Sequence, residues 1–129
     1  MDAFTVHRLK ELLIGSSCVK MENMGNYLQI VFGARQLIVE SAWRIIQDSE
    51  IVVGSASEES LLAKLPHVLV GRIVQSVEVH DSFHDLCLRF DRDTRLEIFA
   101  DSAEYEHWKL VGGPQEMIIA GPGRLWSSF

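Results

Sequence analysis

Cysteine and proline are scarce: two cysteines, Cys18 and Cys87, and three prolines in 129 residues. A small secreted domain held by disulfides would carry a denser, even-numbered framework, so that class is excluded. Both cysteines fall in strand-like runs, where a thiol behaves as a small apolar residue, and we expect them reduced in a cytoplasm. No apolar run approaches the ~18 residues of a membrane span. The opening Met1-Asp2-Ala3-Phe4 has no basic region leading into an apolar stretch, so no signal peptide is expected. Basic side chains are the minority, 12 against 18 acidic, for a formal charge of −6. That sign disfavours phosphate backbones as partners. Nucleophile elbow, phosphate-binding loop and paired-cysteine metal site are all missing, so neither cofactor nor metal is expected.

What is present is the composition of an ordinary globular chain, 47% hydrophobic and 23% charged. Its length suits one domain. The residues also repeat. Leu13-Ile14-Gly15 has a counterpart in Leu69-Val70-Gly71, and Val19-Lys20-Met21-Glu22 in Gln75-Ser76-Val77-Glu78. Leu28 to Phe32 matches Leu86 to Phe90, and Leu37-Ile38-Val39 matches Leu96-Glu97-Ile98. Trp43-Arg44-Ile45 matches Trp108-Lys109-Leu110, and Ile51 to Gly54 matches the run from Met117 to Gly121. A dozen matches in register indicate two copies of one unit, about 3–56 and 57–123, followed by an aromatic tail, 124–129.

Each unit opens with a helix signal. Thr5 can cap a segment whose apolar face is Val6, Leu9, Leu12 and Leu13, closed by Gly15. In the second copy Ser57 precedes Glu58 and Glu59, Leu61, Leu62 and Leu65 form the apolar side, and Pro66 stops the helix. Period-two alternation then predicts strands near 17–22, 27–33, 36–46 and 50–54. The second copy gives 72–80, 85–91, 95–100 continuing around 107–111, and 116–120. Short turns between them mean antiparallel meanders. The expected fold is α+β and mostly β: an internally duplicated α-ββββ unit, two four-stranded sheets packed together with two short helices. Val19, Met21, Leu28, Ile30, Phe32 and Trp43 belong to one half of its core. Val77, Leu86, Leu88, Phe90 and Trp108 belong to the other.

Where the copies differ, function is freer to reside. Leu37 to Trp43 is six positions and Leu96 to Trp108 is twelve, so the second copy carries extra chain around Asp101 to His107. Asp101, Glu104, Tyr105, Glu106 and His107 form an acidic, aromatic-centred surface suited to a basic protein partner. The second difference is His80-Asp81-Ser82-Phe83-His84-Asp85, against Glu22 to Tyr27. Two histidines four apart align as metal ligands on a helix, but this stretch lies between strands and reads as a polar hairpin tip. Asp81 and Asp85 join the candidate partner surface. An enzyme using His80, His84 and His107 is the remotest reading, and it stays open because sequence does not show which carboxylate approaches which imidazole. Arg89, Arg92 and Arg95 interleave with Asp91 and Asp93 as a salt-bridged turn.

Trp108-Lys109-Leu110, Gly112-Gly113-Pro114 and Ala120-Gly121-Pro122-Gly123 give the second half a W-x-[IL]…GP…GPG ending. In this it resembles small bacterial proteins of the toxin-immunity type, which are acidic, single-domain and without catalytic residues. The duplicated helix-plus-four-strand layout is also similar to the Whirly single-stranded-DNA-binding fold. No lysine-glycine-lysine motif matches, so DNA binding does not follow. The resemblance implies a non-enzymatic, cytoplasmic immunity or antitoxin protein covering the active site of a basic toxin such as a nuclease. The alternative is a β-protein holding a small ligand between its sheets. A homodimer through an edge strand or the tail fits either reading.

Overall fold

A computed structural model of the chain describes residues 3–64, 66–101, 105–112, 116–121 and 124–128. Leu65, Glu104 and the Gly113-Pro114 and Pro122-Gly123 pairs lie outside the described residues. Helix α1, Ala3–Leu13, buries Thr5, Leu9, Leu12 and Leu13 on one stripe. It begins two residues before Thr5, which therefore sits within the packing face rather than capping it. The second copy breaks its helix into α2, Glu59–Leu62, and α3, Pro66–Leu69. Proline has no N–H to continue a helix, but it is well suited to the first position of a new one. Ser57 does not cap α2; its hydroxyl accepts from the Gly54 amide at 2.9 Å.

Strands β1 (Lys20–Asn23), β2 (Leu28–Phe32), β3 (Arg35–Val39), β4 (Trp43–Gln47) and β5 (Glu50–Gly54) come from the first copy. The second supplies β6 (Val74–Val79), β7 (Leu86–Phe90), β8 (Thr94–Ile98), β9 (Trp108–Val111) and β10 (Met117–Gly121). The tail is a further strand, β11 (Arg124–Ser128), paired antiparallel with β10. Among the described residues the sheets run β1-β2-β3-β9-β10-β11 and β5-β4-β8-β7-β6.

The class is mostly β with antiparallel sheets and short helices, but the sheets hold six and five strands instead of four and four. Each copy keeps its first three strands together and sends the following hairpin to the other copy's sheet. The stretch 36–46 is therefore two strands, interrupted at 40–42 where the chain crosses over. The same happens between β8 and β9. Leu37 faces Leu110 and Val39 faces Trp108 in one sheet, while Leu96 faces Ile45 and Ile98 faces Trp43 in the other. The internal repeat maps the first two of these pairings onto the second two.

A pseudo-two-fold axis relates the copies and passes beside the isolated bridge Ser17–Ile73. Around it the Gly15 amide donates to the Val74 carbonyl and the Gly71 amide to the Cys18 carbonyl, both at 2.8 Å. Cys18 N donates to Arg72 O and Val74 N to Ser16 O, both at 2.9 Å. Gly15 and Gly71 both have φ of 90°, a left-handed turn that glycine enters without a Cβ penalty. Phe32 and its counterpart Phe90 stack between the sheets, with ring centroids 6.5 Å apart.

One apolar core joins both sheets and α1, and Trp43 and Trp108 are both buried in it. Each large side chain there contributes roughly 1.5–3 kcal/mol, against about 0–1 for an exposed ion pair such as Lys20–Glu22. Val19 was expected inside and is 59% exposed. Cys18 and Met21 are the buried positions on either side of it. The second copy has the same irregularity, a register shift between Val74 and Ser76, so two outward residues separate its inward ones. No helix among the described residues is long and apolar enough to cross a membrane.

Candidate functional site

The two places where the copies differ meet in space. The 80–85 turn links β6 to β7 and is bonded to Ala100 and to Trp108, which flank the described ends of the crossover. Within the turn the His80 amide donates to the Asp85 carbonyl at 2.8 Å, and the His84 amide to the His80 carbonyl at 3.0 Å. His84 adopts φ of 63°, which costs a non-glycine residue about 1 kcal/mol and persists only where the surroundings hold it. Two long-range bonds do the holding. The Trp108 indole N–H donates to the His84 carbonyl at 2.9 Å, and the Ala100 amide donates to Asp85 Oδ1 at 2.7 Å.

His84 is thus buried, 4% exposed, rather than part of a polar hairpin tip. Its imidazole is held below the usual histidine range, first by burial and then by the neighbouring His107 and His80, whose positive charge would repel its own. Its Nδ1 is buried and has no hydrogen-bond partner among the described residues. His80 is exposed and bonds back to its own loop, where its Nδ1 accepts from the Ser82 amide at 3.2 Å. The three histidines are neighbours, yet His80 and His84 pair with no carboxylate among the described residues. There too, no three potential metal ligands gather.

The candidate partner residues divide. Asp81, Asp101 and Tyr105 are exposed, and Glu106 is half-buried, 4.0 Å from Lys109 Nζ. Asp85 is partly buried, with one carboxylate oxygen committed to Ala100. His107 is buried, because its backbone fills a joint between strands: its carbonyl accepts from Glu40 N and Ser41 Oγ, and its amide donates to Ala120 O. It supports the surface from below and does not present a side chain to a partner. Glu104 lies outside the described residues.

Sequence reasoning missed Phe83. It is 64% exposed and stacks on His80, centroids 5.9 Å apart, while Tyr105 on the crossover is 71% exposed. The signal was available, an aromatic in a polar turn with no place in the strand alternation. The basic residues give no opposing patch, since Arg89 pairs with Glu78 and Arg95 with Glu97.

Among known families, a model described as a family of unknown function, DUF6188, matches residues 11–125. No curated protein and no solved structure matches.

Proposed function

The chain therefore belongs to the DUF6188 family, and because that membership brings no activity with it, we propose from the site that it is a non-enzymatic protein-binding module. Its partner face is drawn from the 80–85 turn and the crossover, which offer the exposed Phe83 and Asp81 on one and Tyr105, Asp101 and Glu106 on the other. The observation that supports this reading is that the two departures from the repeat are tied together by the Trp108–His84 and Ala100–Asp85 bonds, with exposed acidic and aromatic residues on each. Rigid aromatics supply anchor area and carboxylates supply steering toward a basic partner.

A charge of −6 suits an immunity or antitoxin protein acting in the cytoplasm on a cationic toxin such as a nuclease. Large core side chains pack the space between the sheets, which favours this reading over a ligand enclosed in the core.

The test is co-expression with the product of the adjacent gene, followed by purification and a toxicity assay. Binding and protection are expected. Phe83→Ala and Tyr105→Ala should each weaken the complex about tenfold or more with an unchanged Tm. No binding or protection, or wild-type affinity in both variants, would overturn the reading.

A further inference from the structure

The pseudo-two-fold exposes a second asymmetry, in the first copy. The loop between β1 and β2 has four residues, 24–27, and its counterpart between β6 and β7 has six, 80–85. The longer loop reaches the Trp108 indole and caps its N–H with the His84 carbonyl. The shorter one leaves a cavity of about 340 Å³ beside Trp43, the counterpart of Trp108. Trp43 is only 6% exposed, lines this cavity, and its indole N–H has no acceptor among the described residues. That donor is open to solvent, so water or a ligand can take it, where the counterpart is sealed by protein.

We propose that this cavity is a binding site for a neutral, polyhydroxylated ligand, a carbohydrate unit of one or two rings. The volume falls within the roughly 300–1,000 Å³ of small-molecule sites. Its walls bring Asn23, Asn26, Tyr27, Ser41 and Asp101 to the same space as Trp43. Among the described residues no lysine or arginine lines the cavity and Asp101 does, so an anion is disfavoured. A compact cation is disfavoured too, because Glu40 on the wall is held by Lys109 Nζ at 3.4 Å and the indole offers only a donor.

An apolar ligand would strand the amides and hydroxyls. Hydroxyl groups both donate and accept: one can take the indole N–H while its neighbours donate to Asp101 and the asparagine carbonyls. Tyr27, half-buried, also lines the cavity and supplies an aromatic ring against which a sugar's C–H side can pack. The site is separate from the proposed partner surface except that Asp101 borders both, and it stands whether or not a toxin is bound.

The experiment follows the indole N–H resonances of the full chain by NMR during titration with methyl glucoside, methyl mannoside, methyl galactoside, N-acetylglucosamine, maltose and cellobiose. At least one sugar should shift the Trp43 signal saturably, with Kd in the ~0.1–10 mM range, while the Trp108 signal stays in place. Trp43→Phe keeps an aromatic ring and loses the donor, and should weaken binding about tenfold, read in that variant from the backbone amide signals of the 24–27 loop. Asn26→Ala, on an exposed turn, should also weaken it, with Tm unchanged, and guards against a folding defect in the tryptophan variant. No shift with any of the six sugars, unaltered affinity in both variants, or a shift produced only by phosphate or by arginine would overturn the proposal.

Discussion

The Trp108 indole and the His84 carbonyl, 2.9 Å apart, tie the two segments in which the second copy departs from the first. Trp108 belongs to the six-stranded sheet and His84 to the turn that opens β7 in the five-stranded one. Removing that donor leaves a buried carbonyl unsatisfied and a void where the indole was. Trp108→Phe should therefore cost about 2–4 kcal/mol. Trp43→Phe loses a similar volume but no bond, and should cost about 1–2 kcal/mol. Urea denaturation of the two variants checks the ordering; an equal loss would mean the bond contributes nothing.

Acid should weaken the fold through His84. Its folded pKa lies below the ordinary 6.5, so as pH falls through that value the unfolded chain takes up a proton that the folded chain refuses. Stability from this group declines from near pH 6.5 downward and levels off once the folded imidazole also protonates. His84→Asn removes the titration and tolerates the left-handed backbone. Urea midpoints between pH 7.5 and 5 should fall more steeply in the wild type than in this variant.

Gly15→Ala and Gly71→Ala should destabilise alike, by about 1–2 kcal/mol each. Nothing lies within 4 Å of an added Cβ at either position, so the cost is one of backbone conformation at φ of 90°. Thermal melts of both variants measure it. A large difference between them would show that the two sides of the axis do not carry equivalent loads.

The two thiols should differ in reactivity. Burial pushes Cys18 up to about 11, and Cys87, half-buried, is also raised chiefly by burial. At pH 8 neither should react quickly with a disulfide reagent such as Ellman's; Cys87 should label slowly in the folded chain and Cys18 only on unfolding. Rapid stoichiometric labelling of Cys18 would contradict its burial.

The repeat was readable because core positions must match: Leu37 with Leu96, Trp43 with Trp108, Phe32 with Phe90. The sheet to which each strand belongs was not readable. Alternation says that Trp43 to Gln47 has an inward face, but the exchange depends on three residues, Glu40 to Ala42, that let the chain cross over. Nothing in their identity announces it. The tail was hidden for a related reason, since five residues with one described buried position, Leu125, become a strand only because β10 offers an edge.

At the candidate site Asp81, Asp101 and Tyr105 were legible as exposed and polar or aromatic. The burial of His84 and His107 was not. It comes from bonds to Trp108, Glu40 and Ala120, far away in the chain, and no local pattern encodes such partners.

The exchanged hairpins also govern when the chain can fold. Leu37 must wait for Leu110, 73 positions later, before β3 gains its second neighbour. At roughly 5–20 residues per second of synthesis, that edge stays open for several seconds on the ribosome. Pairings this distant in sequence also place the protein among slow folders, in the millisecond-to-second range. Until β9 arrives the nascent first copy displays an unfinished apolar sheet, and a chaperone that shields strand edges is the help this topology calls for.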